Sequence, residues 1–221
     1  MTDKNIHELI TRLSSDLSPV NVYWSAENRA LLWFIIHATW ICCLGLLMSY
    51  PGEFSLSKLA DRTDLFLELL LFFIAAGLMS FTSFASMVPG RMDQPIARAL
   101  VFSAPVALLT VLIIKMMTSE GHIYNSSLIV SCKFQIVLYS LAPIFHLYYM
   151  IRNGDHFYSK TTFLSMGMAA AFIPSALMHV VCLGDYKHVL MYHVSTIVVV
   201  SLLTPWAMKK ALNRRDLLRN A

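Results

Sequence analysis

Residues Asp64–Val88 read DLFLELLLFFIAAGLMSFTSFASMV. After Glu68 this run has no charged residue up to Pro89-Gly90-Arg91, which breaks it sharply. A helix needs roughly 20 apolar residues to cross the hydrocarbon core, and the run supplies them. It lacks the dyad alternation of a β-barrel strand, so a membrane helix is the expected element. Working outward, five more runs of this kind can be placed: about Ala30 to Tyr50, Ala97 to Met117, Leu128 to Ile151, Thr161 to Cys182, and Val189 to Met208. The first run starts late and behind a polar segment, which predicts no cleaved signal peptide. The chain has 221 residues, of which 57% are hydrophobic and 14% charged, whereas a soluble domain carries about a quarter charged. The expected fold class is all-α: a polytopic membrane bundle of six transmembrane helices. No internal repeat or low-complexity segment interrupts it.

The basic residues give an orientation. Alternate loops place twelve Lys and Arg on the side of the N-terminus and five (Lys58, Arg62, Lys115, Lys133, Lys187) on the other. Both termini are therefore expected in the cytoplasm. The net charge of +4 follows from this topology and does not point to direct nucleic-acid binding. Three parts are expected: a cytoplasmic segment 1–28, a transmembrane domain 29–208 and a basic cytoplasmic tail 209–221. Within the first, Thr2–Leu17 (TDKNIHELITRLSSDL) is polar yet keeps a helical period. Ile6, Leu9, Ile10, Leu13 and Leu17 share one side of a helix that Ser18-Pro19 would end. A helix of about four turns is marginal alone and needs a surface to order against. An apolar groove on a cytoplasmic partner suits the stripe, with Pro19 closing the partner-binding segment. The membrane surface would suit it too, although its polar face is not rich in Lys and Arg.

Candidate chemistry clusters near the non-cytoplasmic ends of the spans. Cys132 begins the fourth span and Cys182 ends the fifth, at similar depth. In an oxidising compartment such thiols pair, become oxidised or bind a soft metal, but two unrelated membrane cysteines also fit the spacing. Cys42 and Cys43, inside the first span, read as small hydrophobes. His179, Cys182, His188 and His193 have the donor types for zinc, copper or cadmium without a standard zinc-site spacing. No resident cofactor is expected; transient soft-metal binding is. Glu68, Lys115 and Lys133 are intramembrane charges at one depth, where Glu68 and a lysine can pair or the lysines can snorkel. His37 and His146 read as buried hydrogen-bonding groups. Pro105, Pro143, Pro174 and Pro205 lie inside spans and predict kinks. No HExxH, GxSxG, P-loop or GxGxxG motif has the context it needs, so no enzyme is expected.

The order of these features resembles one known family. The segment Asp3–Val20 fits DxxIxxLIxxLxxDLxPV and precedes Arg29 and Trp33. Glu68 lies early in the second span, and Val88-Pro89-Gly90-Arg91 ends it. Cys132 stands eleven residues before Pro143, and His179 and Cys182 are followed by Tyr192-His193. Together these resemble the NrsF family of six-span membrane anti-sigma factors, over nearly the whole chain. The resemblance implies a bacterial inner-membrane regulator that holds an extracytoplasmic-function sigma factor inactive. It also implies that Cys132 and Cys182 serve as sensor thiols for metal or oxidative stress. The chain departs from the family around the second cysteine: Val181 and Leu183 flank it where the family has His and Pro, and His179 stands one turn earlier. The alternatives are a small metal or solute transporter or channel, or a membrane oxidoreductase using the thiols or a haem between His37, His146 and His193.

Overall fold

The computed structural model describes residues 24–47, 63–88, 95–118, 126–152, 160–181 and 186–219. Among them every regular element is helical: α1 (Ala26–Leu47), α2 (Thr63–Ala85), α3 (Pro95–Thr118), α4 (Ser126–Arg152) and α5 (Lys160–Val181), then a rod made of α6 (Tyr186–His188), a π-helical segment (Val189–Val194) and α7 (Ser195–Arg219). The segment carrying Ile6, Leu9, Ile10, Leu13, Leu17 and Pro19 lies outside the described residues, as does Cys182. Among the described residues, four helices are long and apolar enough to cross a membrane: α1, α2, α5 and the rod over Tyr186–Leu212. Helix α3 has a shorter apolar part, Phe102–Thr118. The all-helical membrane bundle expected from the sequence therefore stands at this level.

Local signals explain two boundaries. Pro95 is the first residue of α3, where a missing N–H costs nothing. Helix α7 does not stop with the apolar run at Met208 but continues to Arg219, through residues expected to form a separate tail. Lys, Ala, Leu and Arg dominate that extension and are strong helix formers. Pro105, Pro143, Pro174 and Pro205 each lie inside a helix without ending it.

Helix α5 is the hub, packed most extensively on α2, then on α7 and α4. It is buried nearly all round, as expected of a helix that is apolar on every side. Small residues let its neighbours come close: Gly167, Ala169, Ala170, Ala171 and Ala176 are all buried. A Cβ on Gly167 would lie 2.8 Å from the Ser201 Cα and 2.7 Å from the Thr204 Oγ1, so α5 and α7 meet backbone to backbone there.

The bundle is apolar outside and polar inside. Ile35 and Trp40 on α1, Phe66 and Leu70 on α2, Phe145 on α4 and Leu202 on α7 are all exposed. Meanwhile Glu68, His179, His193, Ser140 and Ser175 are buried. A soluble monomer rarely exposes contiguous apolar patches beyond a few hundred Å². Lipid as the surrounding solvent makes this arrangement favourable, because polar groups must then be satisfied within the protein. Three buried hydroxyls follow that rule by bonding back to their own helices. Ser140 donates to the Ile136 carbonyl (2.6 Å), Ser201 to Ile197 (2.6 Å) and Thr204 to Val200 (2.7 Å).

Candidate functional site

The polar interior is concentrated where α2, α4 and the rod begin and α3 and α5 end. Glu68 sits little more than one turn into α2 and is 2% exposed. From α5, His179 Nε2 lies 2.7 Å from Glu68 Oε2. From α6, the Tyr186 hydroxyl donates to Glu68 Oε1 at 3.1 Å. From α3, Lys115 Nζ stands 3.6 Å from Glu68 Oε1 and 3.5 Å from Asp64 Oδ2. One carboxylate thus ties four helices together, and each tie is a charged or hydrogen-bonded contact in low dielectric. Phe72 closes the other side, its ring 5.4 Å from that of His179. Lys133 takes no part in this network. Its Nζ lies 4.4 Å above the Tyr192 ring, a cation–π contact beside the π-helical segment.

The second cluster is built by that segment. On an α-helix, residues five apart point about 140° away from each other, at about 100° per residue. His188 and His193 would then face different neighbours. A π-turn bonds i to i+5 instead of i to i+4, and its wider turn brings residues five apart nearer to one side. The segment Val189–Val194 makes this change, and the two rings come within 5.3 Å, edge to face. The return to α-helix is held by hydroxyls: Ser195 Oγ donates to the Met191 carbonyl and Thr196 Oγ1 to the Tyr192 carbonyl (2.6 Å). These bonds take up carbonyls that a bulge shifts out of the regular ladder.

Cys132, on α4, faces the aligned pair. One donor atom from each of Cys132, His188 and His193 lies within 4.8 Å of the others. All three residues are buried, at 3%, 3% and 0% exposure. The Cys132 thiol is a hydrogen-bonding neighbour of the His193 ring.

Of the candidate metal ligands, His188 and His193 are brought together and joined by Cys132. His179 is turned to Glu68 instead, and Cys182 lies outside the described residues. Sequence reasoning did not find Tyr186 or Asp64 as partners in the Glu68 network. Ordinary aromatic and acidic residues at a span end give no signal of that kind. It grouped His188 and His193 as candidate ligands but set Cys132 beside Cys182 rather than with the two histidines, which it meets here. Elsewhere, His37 Nε2 and His146 Nδ1 are 2.9 Å apart, a direct hydrogen bond with no gap for an iron between those nitrogens. Above them Trp33 Nε1 donates to the Pro143 carbonyl at 3.2 Å, which seats the indole in the seam between α1 and α4. Cys42 and Cys43 are exposed on the outer face of α1. No family model, curated protein or solved structure matches the chain.

Proposed function

We propose that the chain is a six-span anti-sigma factor of the bacterial inner membrane, with both termini cytoplasmic. Its N-terminal segment sequesters an extracytoplasmic-function sigma factor, using Ile6, Leu9, Ile10, Leu13 and Leu17 as anchors and Pro19 as the stop. Stress at the far end of the bundle, read by Cys132 and Cys182, releases the partner. The observation that carries the sensory half is the seating of the Cys132 thiol against two histidines at the end of the bundle far from the start of α1. A thiol in a built polar pocket is a group whose chemistry can bias helix packing, because α4, α5 and the rod all meet there. The regulatory half rests on the sequence resemblance and on the helical period of Thr2–Leu17. Such a helix gains its stability from the groove it fills, so small changes in presentation alter partner affinity.

The test is a pull-down from native cells with a tagged chain. The wild-type chain should bring down a sigma factor, and a chain carrying both Leu9→Asp and Leu13→Asp should lose it while still inserting in the membrane. Equal recovery by the double variant would refute the anchor assignment. A sigma-dependent reporter that still responds fully to stress in Cys132→Ser, Cys182→Ser cells would remove the thiols from the mechanism.

A further inference from the structure

We propose that Cys132, His188 and His193 bind one soft or borderline divalent cation of the zinc–cadmium class, which staples α4 to the π-helical segment. The inference rests on the reading of Cys132 as the sensory group and names the ligand it takes. Three observations carry it.

The first is convergence. Three buried metal-donor side chains, one from α4 and two from the rod, gather their donor atoms within 4.8 Å. Around a tetrahedral zinc, with Zn–S of about 2.3 Å and Zn–N of about 2.0 Å, donor atoms lie about 3.3–3.6 Å apart. The remaining contraction of roughly 1 Å is within the reach of small χ rotations. The second is the backbone. Single-turn π-segments are rare and frequently occur at functional sites. Here His188 precedes the segment and His193 lies within it, and their rings meet 5.3 Å apart. The third is donor chemistry. One thiolate and two imidazoles make a set that favours zinc, cadmium or copper over magnesium or calcium. The buried carboxylate of the first cluster, Glu68, is engaged by His179 and Tyr186.

The proton balance is simple. The Cys132 thiol, a hydrogen-bonding neighbour of the His193 ring, loses its proton when the metal binds, and the sulfur lone pair forms the metal bond. Each ring nitrogen that binds must be unprotonated, so binding weakens as pH falls. Three protein ligands leave a fourth position for water or a small anion, the pattern of a site that exchanges its ion. The ion would draw α4 toward the rod while His179 remains bonded to Glu68.

The experiment uses the full-length chain purified in detergent under a non-coordinating reductant. Zn2+ is titrated calorimetrically in buffers of different ionisation enthalpy, and Co2+ is followed by absorption. The expected result is one ion per chain, proton release, and a thiolate-to-cobalt charge-transfer band with the intense visible bands of a tetrahedral site. Cys132→Ser should abolish the charge-transfer band. His188→Asn and His193→Asn should each weaken binding about 100-fold or more, and Cys43→Ser should leave it unchanged. The cobalt spectrum is read on the wild-type chain, so a variant that fails to fold does not rescue the idea. Absence of a thiolate band, or wild-type affinity in either histidine variant, overturns it. The sensor reading is scored separately, by release of the bound sigma factor with a thiol oxidant. Release without metal binding leaves that reading standing and sinks this one.

Discussion

At the scale of single residues, Glu68 holds the most consequential position. Its two oxygens meet His179, Tyr186 and Lys115, yet these contacts are unequal. An interhelical hydrogen bond from a neutral group in a membrane protein averages about 0.6 kcal/mol, so Tyr186→Phe should be mild. Removing one member of a buried charged set costs about 3–5 kcal/mol, because its partners are left uncompensated. Glu68→Ala should therefore cost several times more than Tyr186→Phe when unfolding is followed in mixed detergent. Equal losses would mean that the carboxylate contributes only a hydrogen bond. Part of this site was legible in the sequence. A carboxylate one turn inside an apolar run has to find a partner. Of the two lysines expected at its depth, Lys115 is beside it and Lys133 lies over Tyr192, while His179, expected as a metal donor, is its closest partner. Which residue answers which oxygen was not legible, since depth along a span fixes height but not rotation about the helix axis.

At the scale of elements, α5 and α7 form the tightest seam. Gly167 leaves no room for a methyl group against the Ser201 backbone and the Thr204 hydroxyl. The Gly167→Ala chain should lose about 1–3 kcal/mol by overpacking, measurable as a lower melting temperature in detergent. Gly45→Ala is the useful contrast. There the close atom is Leu177 Cδ1 at 2.6 Å, the end of a flexible side chain that can swing away. It should be the milder of the two, and the reverse order would show that α5 and α7 separate easily. The rough extent of the long helices among the described residues could be read from apolar run length. Two features could not. Helix α7 outruns its apolar part because helix propensity, not hydropathy, governs Lys209–Arg219. The π-helical segment has no clear marker in VLMYHV, and its stabilising bonds come from Ser195 and Thr196 just beyond it.

At the scale of the whole molecule, the apolar exterior predicts how reagents reach it. Cys42 and Cys43 are exposed on α1, whose surroundings in a bilayer are acyl chains. A membrane-permeant maleimide should label them, whereas a charged impermeant one should fail from both faces of sealed vesicles. Labelling by the charged reagent from either face would show that this part of α1 is not in the hydrocarbon. The enclosure of α5 has a further consequence, for biogenesis. Spans leave the translocon in chain order, so α5 emerges with α2 and α4 already in place and α7 still in the ribosome. During that interval the notch at Gly167 has no lid, and a helix built for protein neighbours rests partly against lipid. A chain truncated before Tyr186 would stay in this half-closed state, and pulse-chase labelling should show membrane quality-control proteases clearing it much faster than the full-length protein.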